Sequence, residues 1–343
     1  MKLQMHSLWG LFVTLSLLGV GVPEAPVADA AMHGDVLEVE ALLRLGEDVN
    51  AAQGDGMTAL HWAAEHGNAD LAETLIAAGA YLDAVTRLGD FTALHVAARG
   101  GQGTVVRVLA GAGANVNART SAGGVTPLHY ASASGGADAV RVLLQHGADV
   151  DVQESMWYQT PLMFAAAAGR TDVVRTLMSA GAEPSLTARV MDMDARERQD
   201  RADQRRREEL QRRILTARDG RAPERRGGYG EPTGARQVER EDSAQNSQQA
   251  VAAPSREDIN NQQRDRVPSS RFSHAQLVGG YGGLAALHLA VREGHISTAE
   301  ALLDAGADID QETEGDGTEP LLMATINGHF DLAMRLIDRG ADA

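Results

Sequence analysis

The stretch "TPLHYASASGGADAVRVLLQHGADVDV", residues 126–152, decides the fold of this 343-residue chain. It opens with Thr126 and Pro127, which suit the N-terminal cap and the first turn of a helix. Gly135 ends this short, apolar first helix, and a second helix with apolar residues at helical spacing stops at Gly147. A polar segment, "ADVDV", follows. The stretch therefore predicts two short helices and then an extended turn.

The same unit recurs along the chain at a nearly constant spacing. Full copies begin 34 residues apart at Thr58, Thr92, Thr126 and Thr160, and two more begin at Ala285 and Glu319. A degenerate copy begins at Ala25, 33 residues before Thr58. A repeat of this length predicts an array in which each copy packs on its neighbours, so there is no single central core.

These copies resemble the ankyrin repeat, whose signature includes T-P-L-H-x-A within a period of about 33 residues. Six of the seven copies match the signature well, and the resemblance covers about 23–186 and 279–343. It implies an all-α solenoid of about seven helix-turn-helix repeats, with loops that project to one side. We place repeats 1–5 at 23–186 and repeats 6–7 at 275–343.

A charged insertion at 187–274 interrupts the repeats. Its first part, 191–218, suits a solvated helix, and 219–270 is rich in Gly, Pro, Ser, Gln and Arg, which predicts disorder. Residues 187–271 hold nineteen Arg against sixteen Asp or Glu, so this segment carries +3 and the remainder −19. The insertion could fold over the acidic array, reach a partner, or be a tolerated loop without a partner.

The N-terminus has the pattern of a secretory signal peptide at 1–22. Lys2 precedes fifteen uncharged residues, Leu8 to Val22, a length typical of a signal core and short for a membrane span. This pattern predicts an exported protein, periplasmic or extracellular, with an uncleaved anchor as the alternative. Thirty arginines against a single lysine favour a GC-rich bacterial genome.

The sequence offers little for chemistry. It has no cysteine, which excludes disulfides and thiolate sites, and it lacks the common hydrolase, metalloprotease and phosphate-loop motifs. His61, His95, His129 and His288 recur at one repeat position, about 10 Å apart along a stack, which is too far to share a metal ion. The resemblance implies a structural role for them, in hydrogen bonds to the backbone. We expect no metal, no cofactor and no enzymatic activity.

Ankyrin proteins bind partners through their loop tips and the concave ends of their first helices. By this resemblance the partner-binding residues are Met57, Glu65, His66, Phe91, Arg99, Met156, Trp157, Tyr158 and Tyr281. The run Met156, Trp157 and Tyr158 stands out because aromatic residues make up only 4% of the chain. Trp and Tyr are enriched at binding hot spots. The alternative is that the pair rests on the insertion or on a neighbouring loop.

These observations predict a non-catalytic, monomeric scaffold outside the cytoplasm that binds a partner protein. The acidic array favours a partner with a basic surface. Nucleic acid is not expected as a ligand, because acidic residues interrupt the arginine run and aromatics are missing from it; nor is a membrane, once the signal is cleaved. The alternative function is an enzyme or an enzyme-protecting subunit, with a site where the insertion joins the array.

Overall fold

The structure, a computed structural model, describes residues 25–219 and 280–342 and shows seven helix pairs there. The first five pairs are α1 (Pro26–Met32) with α2 (Val36–Leu45), α3 (Ala59–Glu65) with α4 (Ala69–Ala77), α5 (Ala93–Arg99) with α6 (Gly103–Gly111), α7 (Pro127–Ser134) with α8 (Ala137–Gln145), and α9 (Pro161–Ala167) with α10 (Thr171–Ser179). The predicted all-helical repeat array is confirmed.

An interruption separates these repeats from the last two. It contains β1 (Val190–Asp192), α11 (Met193–Asp219) and β2 (Gly280–Gly282), and the two short strands pair with each other. The last two pairs are α12 (Ala286–Arg292) with α13 (Ile296–Asp304), and α14 (Pro320–Ile326) with α15 (Phe330–Asp338). Within the array, first helices pack on first helices and second helices on second helices.

Residues that the sequence predicts as helix caps lie at the ends of these helices. Thr92 is the N-cap of α5, and its hydroxyl accepts a hydrogen bond from the backbone N–H of His95 at 3.4 Å. Gly147 follows α8 with φ of 87°, a left-handed conformation that strongly favours glycine. A glycine with positive φ follows the second helix in all seven described repeats, whereas the threonine N-cap occurs only in repeats 2–5.

The core runs the length of the array in a narrow strip. One leucine, two residues after the start of each full copy, is almost completely buried in five repeats: Leu60, Leu94, Leu128, Leu162 and Leu287. Buried alanines surround these leucines and let the first helices approach closely. Since truncating a buried leucine to alanine typically costs about 2–5 kcal/mol, this row is a major source of cohesion between repeats.

Repeat 6 packs directly on repeat 5, although about 90 residues separate them in sequence. The hydroxyls of Thr171 and Thr298 lie 2.9 Å apart. The imidazole Nε2 of His295 bonds to the carbonyl of Ala167 at 3.2 Å. The array therefore continues across the interruption through the same kinds of contact that join contiguous repeats.

A second unit begins at Asp192 and includes α11, whose 27 residues lie where the sequence predicts a charged helix. Ion pairs one turn apart support it, for example Arg213 with Glu209 at 2.7 Å. The predicted disorder at 219–270 falls, from residue 220 on, outside the described residues, and so does the predicted signal at 1–22. In the described ranges, helices are too short or too polar to cross a membrane.

Candidate protein-binding surface

The loops that precede the first helices share one construction, and we call three of them finger loops: residues 86–91, 120–125 and 154–159. In the first, the backbone N–H of Thr86 donates to the carbonyl of Phe91 at 3.0 Å, and the N–H of Phe91 donates to the Thr86 hydroxyl at 3.1 Å. Thr120 and Val125 close the second loop in the same way.

Neighbouring finger loops are also joined to each other by backbone hydrogen bonds. The N–H of Ser121 donates to Gly89 at 3.2 Å, and the N–H of Ser155 donates to Gly123 at 2.6 Å. The carbonyl of Trp157 takes the equivalent place and accepts from the N–H of Arg189 at 2.7 Å. The loops therefore form one continuous row, and the Trp157 backbone is fixed within it.

Finger loop 154–159 uses a buried carboxylate where its neighbours use a threonine hydroxyl. Glu154 is only 3% exposed, and its carboxylate accepts hydrogen bonds from three backbone N–H groups. The donors are Met156 at 2.6 Å, Trp157 at 2.6 Å and Gln159 at 3.1 Å. Charge-assisted bonds of this kind are stronger than neutral ones. They hold the loop tip in one conformation.

Tyr158 has a left-handed backbone conformation, and the other loops have smaller residues at this position. Its φ is 56°, and the residues at the same position, two before the first residue of each copy, also have positive φ: Gly56, Asp90, Gly124, Gly283 and Gly317. A left-handed conformation costs a non-glycine residue about 1–2 kcal/mol. Strain of this kind concentrates at functional sites, where the side chain itself is needed.

The three side chains at this tip are accessible to solvent. Met156, Trp157 and Tyr158 are between 45% and 53% exposed. The Arg189 guanidinium lies 5.7 Å from the centroid of the Tyr158 ring, a cation–π contact that orients the ring. The neighbouring segment therefore supports the pair without covering it. A rigid, half-exposed Met-Trp-Tyr cluster has the composition that is enriched at protein interfaces.

The predicted residues at the helix ends form a second group. Arg99 donates to the Glu65 carboxylate at 3.0 Å, and both side chains are exposed. His66 is also exposed; its ring stacks on Trp62 at a centroid distance of 6.1 Å, and its Nε2 lies 3.0 Å from the Met32 carbonyl. These side chains are available to a partner, although an exposed ion pair contributes little to stability.

Phe91 and Met57 differ from the expectation of exposed loop tips, because both are half-buried. The Phe91 ring packs against the core, 5.7 Å from the centroid of Tyr130, and the Arg99 guanidinium lies 5.8 Å over it. Phe91 immediately precedes the helix cap Thr92, so its side chain reaches back onto the first helices. The exposed apolar residue of that loop is Leu88.

Sequence reasoning overlooked two aromatic residues on the same row of first helices. Tyr130 and Phe164 occupy the position of Trp62, four residues after the start of their copies, and all three are half-buried. Burial raises the pKa of the Tyr130 hydroxyl, which keeps the phenol neutral. The shared register was a signal in the sequence that could have identified them.

Tyr281 cannot be placed in the same way. Its backbone belongs to β2 (Gly280–Gly282), but its side chain lies outside the part of the chain that the structure describes.

The four recurring histidines are buried and make the backbone bonds that the resemblance implies. The N–H of Thr126 donates to Nδ1 of His129 at 3.2 Å, and Nε2 of His129 bonds to the carbonyl of Gln159 at 3.0 Å. His61 binds the carbonyl of Phe91 at 3.0 Å, and His95 that of Val125 at 3.2 Å. Each finger loop is thus anchored by a histidine of the preceding repeat.

Burial lowers the pKa of all four histidines, and it lowers the pKa of His129 to about 4. The imidazoles are therefore neutral at pH 7, as the bonds require: Nδ1 must accept from a backbone N–H while Nε2–H donates to a carbonyl. Within residues 25–219 and 280–342, no group of three or more His, Asp or Glu side chains is arranged to hold a metal ion.

The stacked helix pairs with projecting loops define a helical-repeat binding module. The family model described as ankyrin repeats (3 copies) matches residues 27–120, 112–188 and 270–343, so the chain belongs to the ankyrin repeat family. No curated protein gives a sequence match. The crystal structure of the human ASB11 ankyrin repeat domain is similar, with a TM-score of 0.58 and 19% identity over 93% of this chain and 100% of that one. At this identity the similarity shows the fold alone.

Family membership carries a general functional statement. Ankyrin repeat domains generally mediate protein–protein interactions and are typically non-catalytic binding modules, and no catalytic family matches this chain.

Proposed function

We propose that this chain is a non-catalytic scaffold that binds a partner protein, with the tip of finger loop 154–159 as the main anchor. The observation that carries the proposal is the half-exposed cluster of Met156, Trp157 and Tyr158, which the buried Glu154 carboxylate holds in place. The cluster combines apolar surface with a fixed backbone. Neither property contributes to stacking the helices.

Rigidity makes the tip a better anchor. A loop that is already ordered loses less conformational entropy on binding, so more of its contact energy appears as affinity. Trp157 is bonded on both sides: its N–H donates to Glu154, and its carbonyl accepts from Arg189. The exposed Glu65, His66 and Arg99, at the ends of the first helices of repeats 2 and 3, offer additional polar contacts to a partner.

The charge of the chain favours a partner with a basic surface. The net charge is −16, and the part outside residues 187–271 carries −19. Such a surface steers a cationic partner and accelerates association. Binding should therefore weaken as salt is raised, and the loss should appear mainly in the association rate.

The scaffold acts outside the cytoplasm in this proposal. Its support is the sequence of residues 1–22, where Lys2 precedes the fifteen uncharged residues of a signal core. N-terminal sequencing of the mature protein tests it. A new N-terminus shortly after Val22 is expected. An intact Met1, together with fractionation into the cytoplasm, would contradict it.

The binding proposal is tested by crosslinking in intact cells, identification of the crosslinked proteins by mass spectrometry, and affinity measurements with the purified partners. Trp157→Ala should weaken binding by about 2 kcal/mol, a loss of roughly thirtyfold. Leu88→Ala, at the exposed tip of finger loop 86–91, is the matched control and should bind as the unaltered protein does. Unchanged affinity of Trp157→Ala for every partner would exclude the anchor.

A further inference from the structure

The seventh repeat carries an apolar face of its own, far along the array from Trp157. We define the seventh-repeat face as Leu322, Ile326, Phe330, Met334 and Ile337, all of them exposed on α14 and α15. Ile326 is 70% exposed and Phe330 65%. Four of the five residues line a groove of about 420 Å³, a volume within the range of binding pockets.

Met334 departs from every other repeat. In the other six repeats the equivalent position, on the second helix, always holds a charged residue: Glu40, Glu73, Arg107, Arg141, Arg175 and Glu300. Phe330 likewise replaces small residues, which are Ala69, Gly103 and Ala137 in repeats 2–4. The same position holds Val36 in repeat 1, Thr171 in repeat 5 and Ile296 in repeat 6, so the apolar side chain at 334, and not that at 330, is specific to this repeat.

The position of Leu322 is buried in repeats 2–6, where a next repeat follows, so stacking of a further repeat could cover Leu322, but it would not account for Met334. Inside the array, where each repeat already has a neighbour on both sides, Arg107, Arg141 and Arg175 remain exposed. Stacking alone would leave position 334 in contact with water. Methionine there instead indicates an occupant that covers more of the second helix than an ankyrin repeat does.

The charges around the groove identify the chemistry of that occupant. Glu319 and Asp342 are the two charged residues in the groove lining, and both are acidic. The nearby Arg335 and Arg339 are engaged with the preceding repeat, at 2.6 Å from Glu300 and 2.7 Å from Asp304. A second copy of the chain would bring the same acidic rim against itself, which is unfavourable. A cationic rim on the occupant is complementary.

We propose that the seventh-repeat face binds an amphipathic helix of a partner protein, whose apolar side chains fill the groove and whose flanking Lys or Arg residues meet Glu319 and Asp342. Helix-in-groove recognition of this type uses apolar anchors one turn apart on the bound helix. The Phe330, Met334 and Ile337 side chains, on one face of α15, offer a complementary apolar strip. Methionine suits such a groove because its flexible side chain adapts to the bound surface.

The test uses the full chain and three labelled synthetic peptides in fluorescence anisotropy titrations. The first is an amphipathic Leu/Lys helix, the second replaces each Lys with Glu, and the third is a scrambled Leu/Lys sequence of the same composition. The scrambled peptide measures attraction by charge alone. The amphipathic Leu/Lys peptide should bind with 1:1 stoichiometry, at least about tenfold more tightly than either of the others.

Two variants locate the site. Met334→Arg introduces the residue found in repeats 3–5 and should fold, and it should weaken Leu/Lys binding at least about tenfold. Phe330→Ala introduces the residue of repeats 2 and 4 and should weaken it similarly. Leu37→Arg, at an exposed apolar position on α2, is the control and should have no effect. Trp157→Ala should also have no effect, which separates this site from the proposed anchor.

Three results would overturn the proposal. They are equal binding of the Leu/Lys peptide by the unaltered chain and Met334→Arg, equal binding of the scrambled peptide, and a dimer in sedimentation that Met334→Arg converts to a monomer. The last result would assign the face to a second copy. Thermal melting of each variant verifies that a loss of binding is not a loss of folding.

Discussion

Finger loops 86–91 and 154–159 share a backbone plan but use their aromatic residues in opposite ways. In both loops, paired hydrogen bonds join the first residue to the last. In both, a histidine of the preceding repeat also bonds to the carbonyl of the last residue. Phe91, the last residue of its loop, packs on Tyr130, whereas Tyr158 and Trp157 lie one and two positions further towards the tip and are half-exposed. Position within the loop, more than residue type, decides whether an aromatic side chain stabilises the fold or is available to a partner.

The largest difference should appear when the two aromatics are removed. Phe91→Ala loses packing against Tyr130 and Arg99, so the free energy of unfolding in urea should fall by about 2–3 kcal/mol. Trp157→Ala removes a half-exposed side chain and should change it by less than about 0.5 kcal/mol. Equal stability losses in the two variants would abolish the distinction between the loops.

The histidine anchors give the array a pH dependence. His129 has a folded pKa of about 4, below the unfolded value of 6.5, so below pH 6.5 the unfolded chain binds a proton that the folded chain does not. The contribution of the neutral His129 to the free energy of unfolding is therefore complete above pH 6.5 and is lost as the pH falls towards 4. His129→Met, which introduces the residue that the next repeat has at Met163, should reduce the stability lost between pH 7 and pH 5 by about 2 kcal/mol.

Urea titrations at pH 7, 6 and 5 measure this effect. Met163→Leu is the matched control: it changes packing at the same repeat position without removing a titrating group, so its pH slope should equal that of the unaltered chain. If the free energy of unfolding of His129→Met falls with pH as steeply as that of the unaltered chain, the proton uptake occurs at another residue.

The carboxylate that distinguishes loop 154–159 can be exchanged for the residue of its neighbours. Glu154→Thr keeps a closing hydroxyl but loses the acceptors for the N–H groups of Met156 and Trp157, which should cost about 1.5 kcal/mol. Hydrogen exchange at these two amides should accelerate by about tenfold. Thr120→Ser, which retains the hydroxyl in the adjacent loop, is the control. Unchanged protection in Glu154→Thr would mean that the carboxylate does not order the tip.

The smallest expected effect concerns backbone strain. Tyr158→Gly relieves a left-handed tyrosine and should raise the free energy of unfolding by up to about 1 kcal/mol, while partner binding weakens. Asp90→Gly, at the same position of loop 86–91, should raise the free energy of unfolding by less, because Asp tolerates the left-handed conformation better than Tyr. A destabilised Tyr158→Gly would show that the contact with Arg189 outweighs the strain.

The repeat positions, the caps and the array could be predicted because each depends on a residue that recurs at a fixed spacing, as Thr126 and Gly147 do. The burial of Phe91 could not, because it depends on Tyr130 in the next repeat, and a loop residue carries no periodicity. The role of Glu154 was also hidden. It occupies the position of Thr86 and Thr120, and only the folded loop shows its carboxylate facing three N–H groups.

The pairing of β1 with β2 has a practical consequence. The N–H of Ala188 donates to the carbonyl of Leu284 at 2.9 Å, as the N–H of Thr120 does to the carbonyl of Val125. In sequence, the second unit is therefore an insertion within one loop of the repeat array. Met163 occupies the repeat position whose histidine would bond to that loop. Repeats 5 and 6 are instead joined by hydrogen bonds between residues that precede the loop and residues that follow it. We therefore expect that a short turn can replace residues 192–279 at this loop, because the bonds between repeats 5 and 6 come from residues outside that segment.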